Sequence, residues 1–324
     1  MNKYIYKIRF TLNDRHMMQI LANDTKKLVL MVIRIAILIG VCYVILAPII
    51  GMAVNSISSN ADAHDPMVYV IPRNPTWERY ELVIERMDYW GTMGRNLLYT
   101  FALTGIQLFV CSMVGYGFAR FNFPFKNLLF GCVVIMIVIP AHTIMLPIYM
   151  TFREFDPLGI VSLITGSSIN MMSTTAPMYI MTLFGCGVRS GLYIYIFTQF
   201  FRGLPKEIEE AAFVDGAGVW YTYFRIMLVN AMPAVVTVAV FSMVWQFNDT
   251  FYAKLFLISD NVVIGKKIST LQATISNQDR IMDLVVQELY LNAGIILVLL
   301  PIVIIYIVLQ KYFIEGVERS GIVG

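Results

Sequence analysis

The sequence predicts an all-α fold, a polytopic membrane bundle of six transmembrane helices. Three observations predict it. Of the 324 residues 58% are hydrophobic and 14% charged, against roughly 25% charged in a soluble protein. The mean hydropathy is +0.70. The apolar residues fall in six long blocks, and a membrane span needs about 20 mostly apolar residues in a row. A chain this poor in charge cannot cover itself with a surface that suits water.

The blocks are Leu28 to Val54, Leu97 to Ala119, Leu128 to Met150, Pro177 to Phe201, Met227 to Ile258 and Leu289 to Leu309. The first follows a polar, basic stretch with Lys3, Lys7, Arg9, Arg15, Lys26 and Lys27. It is too long for a secretory leader and lacks a small-residue cleavage site, so it reads as a retained span. Arg34, early in it, can snorkel to the interface. Between the first two blocks, Asn74-Pro75-Thr76 has the pattern of a helix start with a capping Asn. A short amphipathic helix through Trp77, Tyr80, Leu82, Val83 and Met87 follows, expected over the outer face of the bundle. A further interfacial helix is expected around Ile160 to Ile164. The fourth block is interrupted by Gly185, Gly187 and Arg189.

Orientation follows from the Lys/Arg bias of short loops. With the N-terminus inside, the cytoplasmic side receives the N-terminal cluster, Arg120 and Lys126, then Arg202, Lys206 and Arg225, and finally Lys311 and Arg319. The expected order is thus a cytoplasmic basic segment 1–27, a first helix 28–54, an extracytoplasmic segment 55–95, a core of five spans 96–310 and a cytoplasmic tail 311–324, N-in and C-in.

Several chemistries are absent. The chain has no glycine-rich phosphate loop, since Gly265-Lys266 lacks the rest of the pattern, and no zinc-protease helix or nucleophile motif. Its four cysteines, Cys42, Cys111, Cys132 and Cys186, lie in apolar blocks without metal or disulfide spacing and read as small buried hydrophobes. A net charge of +3 spread along the chain points to no nucleic-acid partner.

The informative segment runs from Leu204 to Leu228, between blocks four and five. Pro205 suits a first helical turn, and Glu207, Glu209 and Glu210 favour the positive end of the helix dipole. Leu204, Ile208, Ala211 and Ala212 share one face. Asp215-Gly216 breaks the helix, since glycine takes the left-handed bend, and a second helical stretch starts at Ala217. A bent helical pair with a small-residue face is a knob for a partner's groove.

Glu210-Ala211-Ala212 followed by Asp215-Gly216-Ala217 resembles the EAA motif of ABC-importer permeases, the loop that couples the membrane subunit to its ATPase. Tyr223, Phe224, Ile226 and Leu228 continue as in the carbohydrate branch, with Val229 where a first proline is usual and Pro233 at a second. Gly115 to Pro124 resembles the tyrosine–alanine–arginine turn after the second span. Ile139-Pro140-Ala141-His142 to Tyr149 resembles the double-proline third span, Trp245 to Asp249 the tryptophan–asparagine segment of the fifth, and Gln310 to Gly316 the C-terminal signature. Together the chain resembles MalG-like permeases of carbohydrate ABC importers, with a MetI-like transmembrane domain.

That resemblance implies a coupling site of Glu207, Glu210, Ala211, Ala212, Asp215, Gly216 and Ala217. It implies a homologous sister permease, two ATPase subunits that hold the ATP and Mg2+, an extracytoplasmic solute-binding protein and a sugar or oligosaccharide substrate. The chain itself is then no enzyme and binds no cofactor; it sits multi-pass among the lipids of the cytoplasmic (inner) membrane. Candidate pathway residues are His142, an ionisable group between two prolines of the third span, and Trp245, Gln246, Asn248, Asp249 and Thr250, with Gln246, Asp249 and Thr250 at one-face spacing. A permease for a non-sugar solute, and an integral-membrane enzyme or sensor using His142, Asp249 and Asp283, are the rival readings.

Overall fold

The computed structural model describes residues 15–65 and 71–321. Lys3, Lys7 and Arg9 lie outside the described residues, as do the side chains of the C-terminal signature from Lys311 on. The chain divides into two compact units, 1–75 and 76–324.

The first unit holds α1 (Arg15–Ile57) and the short α2 (Asn60–His64). Its 32-residue stretch Lys26–Ile57, which contains the first apolar block, is long and apolar enough to cross a membrane. After it, Ser59 caps α2 by accepting the Asp62 N–H at 3.1 Å. Asp62 in turn accepts the Asn74 N–H at 2.8 Å and its amide at 3.3 Å. The Asn74 N–H is the main reason that the Asp62 carboxyl lies below its ordinary range. Asn74 therefore does not cap the next helix, as its sequence pattern suggested: it is committed to Asp62.

The second unit begins with α3 (Glu78–Arg86), whose N-cap residue Trp77 makes no cap bond; the Thr76 hydroxyl accepts the Glu78 N–H at 3.4 Å. Then come α4 (Tyr89–Arg120), α5 (Lys126–Val138), α6 (Met145–Arg153) and the short α7 (Ile160–Thr165). The fourth block forms α8 (Ala176–Leu183) and α9 (Ser190–Gly203). Next are α10 (Glu207–Val214), α11 (Val219–Asn230), α12 (Met232–Phe247), α13 (Phe251–Leu255), α14 (Ile264–Gln278) and α15 (Leu284–Gly321). No strand forms among the described residues; Phe155 and Ile169 make one isolated bridge.

Besides the first unit's helix, α4 and the Leu284–Val308 part of α15 are long and apolar enough to span. Two bent pairs qualify if each is one span. Lys126–Val138 and Ala141–Arg153 meet at 104°, and Val219–Asn230 and Met232–Phe247 at 77°. The first bend sits at Pro140, which ends α5 because proline disfavours helix in the residue before it. The chain resumes with a 3-10 turn, Ala141–Ile144. The predicted fourth span is broken where its sequence is, between Leu183 and Ser190. Gly187 is needed there, because a Cβ on it would stand 2.6 Å from Thr182 Oγ1.

Three apolar clusters hold this unit together. One joins α4, α9, α11 and α12 through Cys111, Tyr193, Phe197, Tyr223, Met227 and Val238. Its tightest crossing is at Gly115, whose added Cβ would lie 2.5 Å from Phe197 Cβ; small residues let membrane helices approach this closely. A second cluster gathers Leu103, Met178, Phe256 and Ile258. The third packs Val83 of α3 and Met87, just after it, with Phe247, Leu271, Ile275 and Ala293; of the apolar face expected for this helix Val83 and Met87 are buried, while Trp77 is exposed. Of the cysteines only Cys111 is buried; Cys42, Cys132 and Cys186 are exposed, which corrects their reading as buried packing residues.

Candidate functional site

The element from Leu204 to Asn230 is a bent helical pair. α10 starts at Glu207, two residues after Pro205, which therefore stands before the first turn and not inside it. Glu207, Glu209 and Glu210 all lie in that first turn, where their charges complement the unpaired N–H groups. The helix ends in a double-bonded cap: the Ala217 N–H donates to Ala212 O at 2.9 Å and the Gly216 N–H to Phe213 O at 3.0 Å. This closure needs a left-handed residue, and Gly216 supplies it at φ +81. The chain re-enters a helix at Val219, with a π turn over Thr222–Met227.

Of the seven predicted coupling residues, Glu207, Glu210, Ala211, Asp215 and Gly216 are exposed, Ala217 is half-buried and Ala212 is buried. Phe213, Val214, Val219, Trp220 and Tyr221 are exposed beside them, Val214 at 86%. The pair thus offers an apolar and acidic surface that this chain does not cover.

What holds the pair is a residue that the sequence reading left among the helix-dipole glutamates. Glu209 is buried. The Tyr116 hydroxyl donates to its Oε1, and Arg120 Nε lies 3.1 Å from its Oε2. This last contact is an ion pair by distance without the alignment of a hydrogen bond. The same guanidinium donates to Leu204 O at 2.8 Å. One turn further into α4, the Ser112 and Tyr223 hydroxyls meet at 2.7 Å. The end of α4 is therefore stapled to α10 and α11 at both ends of the bend. Tyr116 and Arg120 belong to the tyrosine–alanine–arginine turn that the sequence singled out, but only the fold shows what they grip.

The second predicted group is only partly assembled. α12 ends at Phe247, so Gln246 does not share a helical face with Asp249 and Thr250. Gln246 points inward, 1% exposed. Its amide lies 3.3 Å from Gln107 Oε1, which also accepts the Ser242 hydroxyl at 2.7 Å. The Gln107 amide donates to Val188 O at 2.7 Å and to Ser190 Oγ at 2.8 Å. These bonds tie α4, α9 and α12 together near the middle of α4. Asn248 is exposed and bonds back to Val244 O. Asp249 accepts the Tyr252 N–H at 3.3 Å, and Thr250 precedes α13. Trp245 is 45% exposed. His142, exposed in the 3-10 turn, lies against Phe251 with ring centroids 4.5 Å apart and the planes tilted by 55°, so the break in the third block meets the end of the fifth. Arg189, seen in the sequence only as an interruption, lies 4.3 Å over the Trp245 ring.

With this geometry the comparisons with known proteins agree. Residues 111–319 match the family described as "Binding-protein-dependent transport system inner membrane component". The chain is 26% identical over 237 residues to the arabinooligosaccharides transport system permease protein AraQ of Halalkalibacterium halodurans, covering 73% of this chain and 75% of that one. It is 26% identical over 293 residues to protein LplC of Bacillus subtilis, covering 88% and 92%. Its fold is similar to a chain of a bacterial ABC transporter involved in the import of the acidic polysaccharide alginate, with a TM-score of 0.71 at 21% identity, covering 88% of this chain and 96% of that chain.

The helical fold and the family match thus define an inner-membrane transport component. The chain belongs to the binding-protein-dependent transport system inner membrane component family and is thus a membrane component of a transport system.

Proposed function

We propose that this permease forms half of the translocation pathway of an ABC importer for a sugar or oligosaccharide, in the cytoplasmic (inner) membrane, with six spans and both termini inside. A homologous sister permease would form the other half. Two ATPase subunits would hold the ATP and Mg2+, so that no cofactor is bound by this chain, and a solute-binding protein would deliver the sugar from outside. The sugar class is supported by the name of the similar AraQ permease.

The observation that carries the proposal is the stapled bent pair. A coupling element must transmit a push without yielding. Here Glu207 to Ala217 presents an uncovered surface, while Glu209 anchors the same helix to α4 through Tyr116 and Arg120. ATP binding would close the ATPase pair and displace α10 and α11. The staple would pass that motion into α4, and the bundle would open outward by alternating access. Hydrolysis resets it, with all phosphoryl chemistry in the partner. His142, Trp245, Gln246, Asn248, Asp249 and Thr250 are proposed to serve the pathway, the exposed ones as contacts and Gln246 as interhelical support.

Purification of the tagged chain from native membranes should bring down a second permease and an ATPase, identified by mass spectrometry. Gly216→Trp, which places a bulky residue at a left-handed position on the docking surface, should abolish uptake while the chain still inserts. Uptake at the wild-type rate in that variant, or recovery of the folded chain alone, would sink the proposal.

A further inference from the structure

Arg189 occupies a place where an arginine needs a reason. It stands in the break of the fourth block, at the entrance to α9, with its backbone at φ +59. Its depth follows from its neighbours. Val188 O and Ser190 Oγ both bond Gln107, and Gln107 lies near the middle of the 32-residue α4. Ser242 and Gln246 meet the same amide, which puts Trp245 at that level too. The Arg189 side chain is exposed on this subunit. It makes no ion pair among the described residues, and its guanidinium stacks on the half-exposed Trp245 ring. The carboxylate in the neighbourhood, Asp249, is turned to the Tyr252 N–H.

A permanent cation at mid-span costs about 2.5–3.5 kcal/mol on insertion scales if it meets lipid. This face therefore looks onto water, substrate or another subunit. The Trp245 ring restrains the guanidinium on one side, and the N–H donors make no hydrogen bond among the described residues. A planar fork held in this way matches a carboxylate bidentately. The tryptophan behind it adds an apolar surface suited to a sugar ring.

We propose that Arg189 and Trp245 form a substrate-contact subsite at mid-depth of the permease, which selects saccharides bearing an acidic group such as a uronate carboxylate. This rests on the importer reading above and names the chemical class that the pathway prefers. Arg189 is the specificity-determining residue and Trp245 its positioning platform.

The test uses the intact importer in proteoliposomes, with its binding protein offered in turn an array of neutral and uronate-bearing oligosaccharides. ATP hydrolysis and sugar uptake are both read. Uronate-bearing sugars should stimulate the wild type. Arg189→Gln should lower their maximal uptake rate at least about tenfold, and any neutral sugar that is carried should lose much less. Arg189→Lys, which keeps the charge and loses the fork, should fall between, and Trp245→Phe should lower uptake of the acidic sugars more than that of neutral ones.

If only neutral sugars are carried, or if Arg189→Gln carries both classes at wild-type rates, the subsite is overturned while the importer reading stands. If Arg189→Gln breaks up the purified complex and Arg189→Lys restores it without changing sugar preference, Arg189 pairs with another subunit and the subsite is overturned. If no sugar of either class stimulates hydrolysis, the sugar reading itself fails and takes the subsite with it.

Discussion

Arg120 ends α4 and Arg189 directly precedes α9, two helices packed against one another, yet their surroundings are opposite. The Arg120 side chain is 5% exposed, faces Glu209 and donates to a backbone carbonyl. Arg189 is exposed, makes no ion pair among the described residues and lies over an aromatic face. A buried charge is tolerated only where opposite charge and hydrogen bonds surround it. An exposed one at membrane depth is tolerated only where something other than lipid covers it. The first arrangement completes itself inside the chain and makes a stiff joint. The second is completed only by what comes from outside. Coupling needs the former and recognition the latter.

The comparison breaks first at Glu209. Glu209→Ala leaves the Arg120 guanidinium buried without its carboxylate, which should cost about 3–5 kcal/mol, read as a lower melting temperature of the purified importer. Glu209→Gln can still accept from Tyr116 and should lose less. Replacing both partners, Arg120→Leu with Glu209→Leu, should restore much of the stability, since an apolar pair of matched shape does not carry the desolvation penalty. Transport should stay defective, because the charge staple between α4 and α10 is gone. Wild-type melting in Glu209→Ala would show that the ion pair holds nothing.

The two arginines also differ in how far the sequence reveals them. The bent pair is legible, since Pro205, the glutamates and Asp215-Gly216 are local signals, and the helix observed over Glu207–Val214 ends at Gly216 as those signals require. The staple is not legible. Glu209 and Arg120 are 89 residues apart, and nothing in either segment says that they meet. The broken fourth block was visible in Gly185, Gly187 and Arg189, but the stacking of Arg189 on Trp245 depends on how α9 and α12 both pack on α4. Gln246, Asp249 and Thr250 misled for a simpler reason. Their spacing fits one helical face only while the helix continues, and α12 stops at Phe247.

A smaller effect tests a buried polar group further along α4, on the side of Gln107 away from Arg120. Asn96 is fully buried on α4, and neither its amide nitrogen nor its amide oxygen has a partner among the described residues. An unsatisfied buried polar group costs about 1–3 kcal/mol. Asn96→Leu, close in size, should therefore leave the melting temperature unchanged or raise it, in contrast to Glu209→Ala. A clear fall would show that the amide is engaged by something outside the chain, as is proposed for Arg189.

The weakest expected effect comes from a third pair, intermediate between the two extremes. Arg86 holds Asp279 through contacts of 2.7 and 3.1 Å, and the two side chains remain 25% and 14% exposed. The hydrogen bonds from Arg86 hold the Asp279 carboxyl below its ordinary value. A depressed carboxyl contributes stability that is complete above the unfolded value, about 3.9, and is lost as pH falls through the lower folded value. Wild type should therefore melt above Asp279→Asn at neutral pH, and the gap should close below about pH 4. Other carboxylates titrate in the same range, so the gap between the two proteins is the quantity to follow. Because water reaches this pair, the gap at neutral pH should fall well short of the effect at Glu209. A gap as large as that of Glu209→Ala would mean that α3 and α14 are clamped as firmly as the coupling element, and the stiffness of the staple would no longer set it apart.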